Sequence, residues 1–208
     1  RVLIVAPLRT EPGWARTVRE ITGTPLRLCV NSRGRGRARS KATRDLKEGV
    51  PGWYFVTWET LRQWGTTRRR DSKGRMVSKP GNPLPGVTLD HLVADEVHRA
   101  CDFRSLNSGV LTRVHATRRL ALSATPAGAQ PVNIYGALKF LWPKRYPSYT
   151  RFADHFFIST PNIYSDSGFG SLYGREKRPG AVRASTPVWI DIQAREVLDD
   201  LPEVTVVR

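Results

Sequence analysis

Leu92-Val93-Ala94-Asp95-Glu96-Val97-His98 is the stretch on which the fold turns. An apolar run that stops at two adjacent carboxylates reads as a buried strand delivering charge to the edge of a sheet. Short apolar runs of the same kind stand at 2–6, 26–30, 54–57 and 120–123. Helical patterns lie between them. Trp14, Val18 and Ile21 follow i, i+4, i+7 spacing after Pro12 and before Gly23, a start and a stop for a helix. A short helix fits 58–64, closed by Gly65, and Leu106, Val110, Leu111 and Val114 form another apolar stripe. Ile134, Leu138, Leu141 and Trp142 form the next, ended by Pro143. Strand–helix alternation predicts an α/β fold, a three-layer parallel sheet with helices on both faces. Ligands of such sheets bind outside the carboxyl ends of the strands.

Composition narrows the function. The chain has 208 residues and a mass of 23.4 kDa, enough for one domain with a sizeable core. A hydrophobic fraction of 39% with 25% charged residues excludes wholesale disorder. The net charge of +16 and pI near 10.8 give a surface that attracts polyanions, nucleic acid first among them. The longest apolar run, Val2 to Leu8, is seven residues and contains Pro7, far short of the roughly 18–20 that a membrane span needs. Two cysteines, Cys29 and Cys101, make no disulfide framework and fit a reducing, cytoplasmic setting. The Arg-rich bias suggests a bacterial or phage source. His98 and Cys101 lack the second Cys or His pair that zinc-finger spacing demands. Cys29 reads as a small core residue, and Trp14, Trp58 and Trp142 read as core packing rather than base-stacking platforms.

Two segments break the alternation and read as basic loops. Residues 31–47 carry Arg33, Arg35, Arg37, Arg39, Lys41, Arg44 and Lys47, and residues 66–86 carry Arg68, Arg69, Arg70, Lys73, Arg75 and Lys79. Taken singly, each is a solvated charge. As a cluster they favour DNA, and neutralising about six phosphates would give a salt slope near −5. Residues 158–187, rich in Ser, Gly and Pro, also read as loop.

The carboxylate pair has a specific chemistry open to it. Phosphoryl transfer from a nucleotide needs Mg²⁺ near the β and γ phosphates, and hard oxygen ligands suit that ion. Asp95 is placed to hold Mg²⁺, directly or through water, and Glu96 to orient and polarise an attacking water. The bland alternative is a solvated acidic pair at a strand end. A second apolar strand ends at Ser123-Ala124-Thr125-Pro126, 28 positions after Asp95. Ser123 and Thr125 are candidates to hydrogen-bond across to the Asp-Glu-Val-His turn; alone, they would pass for an ordinary Thr-Pro turn.

The two stretches in this order resemble motif II and motif III of the first motor lobe of superfamily 2 helicases. Further residues narrow the resemblance to the Swi/Snf-type helicase-like ATPases. Val2-Leu3-Ile4-Val5-Ala6-Pro7-Leu8 followed by Trp14 resembles that family's motif Ia, "LIVAPLSLL..W". Val56-Thr57-Trp58-Glu59-Thr60-Leu61 is similar to its "ITTYETL" segment, and Asp95-Glu96-Val97-His98-Arg99 to its "DEAHR". Ser123-Ala124-Thr125-Pro126 with Leu138, Phe140-Leu141 and Pro143 resembles "TGTP…LL.FL.P". Tyr149 to Phe157 resembles the "F..F" helix, and Arg195 to Pro202 resembles the "..EVLPDLP" tail. The chain departs from the pattern at Val97, at Ser123-Ala124, at Gly128-Ala129-Gln130 and at Ile190-Asp191-Ile192.

The resemblance implies a single RecA-like lobe over residues 1–208. It lacks the family's phosphate loop, G-x-x-x-x-G-K-[ST], expected upstream of motif Ia, and the second RecA-like lobe, expected downstream. It implies ATP and Mg²⁺ as cofactors and double-stranded DNA as partner, with no membrane. The roles it implies are Asp95 and Glu96 as catalytic and His98, Arg99, Ser123 and Thr125 as coupling residues. Pro7, Leu8, Arg9, Thr10 and Thr57 would touch the phosphodiester backbone, joined by Arg33, Arg35 and Arg37 from the basic segment. The expected activity is DNA-dependent ATP hydrolysis driving movement on duplex DNA, with the isolated 208 residues binding ATP weakly and not hydrolysing it. The alternatives are the motor subunit of a restriction system, a degenerate lobe that binds DNA without hydrolysis, and a purely structural basic protein; the Asp95-Glu96 pair argues against the last.

Overall fold

A computed structural model describes residues 1–29, 37–128, 130–161 and 171–190, with only the backbone for 37–40. The tail at 195–202, Arg33, Arg35 and the Arg37 side chain lie outside the described set. Five parallel strands form the main sheet: β1 (Val2–Ala6), β2 (Leu26–Leu28), β3 (Trp53–Thr57), β6 (Thr88–Asp95) and β7 (His115–Leu122). Their spatial order is β2-β3-β1-β6-β7. The helices are α1 (Glu11–Thr22), α2 (Arg37–Lys47), α3 (Trp58–Gly65), α4 (Leu106–Leu111), α5 (Ile134–Leu141), α6 (Tyr149–Phe156) and α7 (Ala181–Ser185). The α/β reading of the sequence therefore holds, element by element, through β1, α1, β3, α3, β6, α4, β7 and α5.

Strand residues alternate between two dry faces. Leu3, Val5, Tyr54, Val56, Leu92 and Ala94 face Trp58 and Leu61 of α3, Val110 and Leu111 of α4, Leu46 of α2 and Phe140 of α5. Ile4, Ala6, Phe55 and Val93 face Val18 and Trp14 of α1. Local chemistry sets the helix ends. Pro12 lies in the first turn of α1, and Gly23 ends it at φ 68° with its N–H donating to Arg19 O. Thr57 Oγ1 caps α3 by accepting from the Thr60 N–H, and Ser105 Oγ caps α4 by accepting from the Ser108 N–H. A separate aromatic cluster (Tyr135, Tyr146, Phe152, Phe157) lies on the other side of α5, between α5, α6 and α7.

Five expectations change. Residues 66–86 are not a loop: β4 (Thr66–Arg70) and β5 (Met76–Pro80) form an antiparallel ribbon, and Leu84 and Val87 beyond it are buried. Cross-strand hydrogen bonding needs no apolar face, so a charged sequence hid it. Within 31–47, residues 37–47 are helix α2, whose Ala42 and Leu46 reach the core between the cations. Residues 158–187 contain β8 (Phe157–Pro161), β9 (Ser171–Glu176) and α7. Ile21 is 78% exposed, because α1 ends with Val18 as its buried contact. Leu120 is 50% exposed, because β7 is an edge strand of the sheet.

Candidate functional site

The parallel register brings four strand ends into one row. Ala6 pairs with Thr57, Val5 with Ala94, and Asp95 with Leu122. The segments that follow (Pro7–Thr10 after β1, Trp58 after β3, Glu96 after β6, Ser123 after β7) therefore emerge at the same carboxyl edge. The chain leaves β1 toward α1 on one face of the sheet and leaves β6 toward α4 on the other, so a crevice opens between the adjacent strands β1 and β6. Asp95 stands at that crevice.

Three hydrogen bonds fix Asp95. Its Oδ2 accepts from the Trp14 indole N–H at 3.0 Å, its Oδ1 accepts from the Glu96 backbone N–H at 2.9 Å, and its carbonyl accepts from the Trp58 indole N–H at 3.0 Å. Glu96 adopts φ 53°, ψ 50°, a left-handed conformation that no other non-glycine residue takes among the described residues. Such strain is tolerated where surrounding contacts hold it, and it clusters at working sites. The left-handed step swings the Glu96 side chain back toward His98, whose Nδ1 is 3.1 Å from Glu96 Oε2.

The same Nδ1 is 3.2 Å from Ser123 Oγ. A protonated Nδ1 donates to the carboxylate; a bare Nδ1 accepts from the serine hydroxyl. In the first case the imidazole bonds within its own turn; in the second it links the two strand-end turns. The turns are tied again by Cys101 Sγ, which donates to Pro126 O at 2.8 Å. Arg99 leaves this cluster and pairs with Glu59 at 2.7 Å. Burial raises the Glu59 carboxyl, but its own backbone N–H and the Arg99 guanidinium outweigh it and hold the group below its ordinary value. Burial pushes the Cys101 thiol up to about 11 and that of Cys29 to about 12.

The structure brings together Asp95, Glu96, His98 and Ser123. Thr125 is at their margin: it is exposed, and its backbone N–H donates to Ser123 Oγ at 3.1 Å. In the β1 turn, Pro7 is buried while Leu8 and Arg9 are exposed, and Thr10 donates back to Pro7 O at 2.9 Å. Arg37 opens α2.

Three residues escaped the sequence reading as active parts. Trp14 and Trp58 pack as expected, but both indoles also hold Asp95. The signal was available: a buried indole N–H seeks an acceptor. Glu59 gave none, since a carboxylate in a first helical turn needs no partner to be at home there.

Among the described residues, no group of three or more His, Cys, Asp and Glu side chains is placed to hold a metal ion. Mg²⁺ needs no such group, since it is commonly held by one or two carboxylates with waters and substrate phosphates. Each Asp95 oxygen accepts one hydrogen bond and keeps a lone pair for such a role. No helix of the described residues is long and apolar enough to cross a membrane.

Residues 1–174 match the SNF2-related domain. The chain belongs to that family. This SNF2-related domain is 27% identical over 162 residues to the Arabidopsis thaliana protein named CHROMATIN REMODELING 4, covering 74% of the chain and 7% of the plant protein. The Sulfolobus solfataricus SWI2/SNF2 ATPase core in complex with dsDNA superposes with a TM-score of 0.50 at 19% identity, over 74% of this chain and 28% of the archaeal one. The domain therefore has the α/β RecA-like fold, and it spans a small part of both relatives. Their plant and archaeal origins lend no support to a bacterial or phage source.

Proposed function

We propose that this SNF2-related domain is the first RecA-like lobe of a DNA-dependent ATPase that couples Mg-ATP hydrolysis to movement on double-stranded DNA. The observation that carries this reading is the Asp95–Glu96–His98–Ser123 cluster at the crevice edge, in the same row as the β1 and β3 turns. A phosphate loop preceding β1 and a second lobe following the domain would complete the nucleotide site; both belong to the proposal.

In this reading Asp95 holds Mg²⁺, directly or through water, with its rotamer set by Trp14 and the Glu96 N–H. Bound there, the ion supplies charge neutralisation at the nucleotide phosphates. Glu96 orients the attacking water and accepts its proton. His98 Nδ1 steadies the carboxylate and carries its state to Ser123; Arg99 and Thr125 extend that coupling on either side. Pro7, Leu8, Arg9, Thr10 and Thr57 meet the phosphodiester backbone. The backbone amides and hydroxyls in that set position DNA without reading sequence, as a motor on any duplex requires.

The test is ATP hydrolysis by the protein from its complete reading frame, with and without duplex DNA, beside Glu96→Gln. DNA-stimulated turnover that falls at least about a hundredfold in the variant is expected for loss of a general base. DNA binding without turnover in the unaltered protein would make the lobe a binding relic and end the motor reading.

A further inference from the structure

The β4–β5 ribbon has no role in the site described above. Residues 66–80 hold six cations, Arg68, Arg69, Arg70, Lys73, Arg75 and Lys79, against one carboxylate, Asp71. That carboxylate is spent locally. It accepts from the Lys73 and Arg75 backbone N–H groups and from the Arg75 side chain, all at 2.9 Å. Arg70 donates to Gly74 O at 3.2 Å. Arg68, Arg69, Lys73 and Lys79 have no ion pair and no side-chain hydrogen bond among the described residues.

The ribbon is anchored at its base and open beyond it. Gly81 N–H donates to Gly65 O at 2.6 Å, and the Pro80 ring lies where any side chain at Gly109 of α4 would stand. Outward from there both faces are solvent-facing, with Arg68 and Arg70 opposite Ser78 and Met76 on one, and Arg69 opposite Val77 on the other. Like charges packed on a two-stranded ribbon repel each other and bury nothing, so they do not serve the fold. The ribbon leaves α3 about 12 Å along the helix from the crevice edge, eight residues at 1.5 Å each.

We propose that this ribbon is a second phosphate-contacting surface for duplex DNA, separate from the strand-end turns. Unpaired cations on a firm base neutralise phosphates and release counterions. A two-stranded ribbon is also a shape that the roughly 12 Å major groove admits. The contact is with the backbone and carries no sequence preference. It rests on the DNA-binding half of the reading above and not on hydrolysis.

Duplex affinity is measured across a salt series for the protein from its complete reading frame. The ribbon variant is Arg68→Ser/Arg69→Ser/Lys73→Ser/Lys79→Ser. A control variant, Lys144→Ser/Arg145→Ser/Arg151→Ser/Arg178→Ser, removes the same charge from exposed positions around the aromatic cluster. The ribbon variant is expected to bind at least about tenfold more weakly at low salt. Its slope of log affinity against log salt should be shallower by about 2 to 4, near 0.9 for each lost phosphate contact. The control should keep the original slope. As a measurement independent of the fourfold change, Ser72→Cys carries a photocrosslinker at the ribbon tip and should capture duplex DNA. Equal slopes in ribbon and control variants, or no crosslink at position 72, would overturn the proposal. So would a ribbon variant that aggregates yet binds normally, since the charges would then only guard a sheet edge. An unaltered protein that binds no duplex would sink the proposed function as well.

Discussion

The carboxyl edge of the sheet and the β4–β5 ribbon carry charge in opposite ways. At the edge, each group has a partner inside the molecule: Asp95 two indoles, His98 either Glu96 or Ser123, Arg99 the Glu59 carboxylate. On the ribbon, four cations have no such partner among the described residues. Internally paired charge fixes geometry, which chemistry needs. Unpaired charge on an exposed support offers itself to something outside. In the proposed reading, the difference separates a site that acts by position from a surface that acts by attraction.

The largest expected break in this contrast comes from a methyl group. A Cβ at Gly136 of α5 would collide with the carbonyl oxygens of Ala100 and Cys101, which end the turn carrying Glu96 and His98. These are backbone atoms and cannot rotate away. Gly136→Ala is expected to cost about 1–3 kcal/mol by overpacking and to lower ATP turnover through the displaced turn. Gly74→Ala at the ribbon tip meets open space, and only its φ of 76° resists. That substitution should cost about 1 kcal/mol and leave turnover alone. Thermal unfolding and turnover for both variants check the pair; equal effects on turnover would erase the distinction.

Trp14→Phe sharpens the contrast at the edge. The ring still packs on Val18 and Phe55, but Asp95 Oδ2 loses its donor. Stability should fall by about 1 kcal/mol, a typical net hydrogen bond. DNA-stimulated turnover should fall about tenfold and be partly restored by higher Mg²⁺, because a looser carboxylate binds the ion less well. Unchanged magnesium dependence would leave Trp14 as packing alone.

The smallest effect belongs to the exposed Arg99–Glu59 pair. Folding depresses the Glu59 group below its ordinary 4.5, with Arg99 among the causes. The stability it contributes is present above that value and is lost as pH falls through the lower folded value. Arg99→Gln should therefore flatten the acid limb of stability against pH slightly below pH 4.5 and change nothing at pH 7 beyond a few tenths of a kcal/mol. Denaturant midpoints at pH 3, 4 and 7 test it.

The sheet was legible because buried parallel strands announce themselves as short apolar runs. Val2–Ala6 matches its run residue for residue, and β3 begins one residue early at Trp53. The ribbon was illegible for the opposite reason. Its strands are held by backbone pairing at Thr67–Lys79 and Arg69–Val77, and its side chains signal only solvent. At the site, Asp95 and Glu96 could be read from where an apolar run stops, and Ser123 from the next such stop. The indole bonds joining Trp14 and Trp58 to Asp95 cross 81 and 37 positions, and no periodicity reports contacts at that range. The left-handed backbone at Glu96 was hidden as well, because glutamate is not a residue that advertises it.

The turn after β6 has a mechanical consequence. Residues 96–101 are fastened to the segment 123–136 three times, through His98 and Ser123, through Cys101 and Pro126, and through the bare backbone that Gly136 exposes. Parts joined at three places share every displacement. A hinge for opening or closing the lobe therefore has no place between β6 and α5. A displacement of the Glu96 turn is therefore shared with α5 and, through it, with the aromatic cluster packed on its other side.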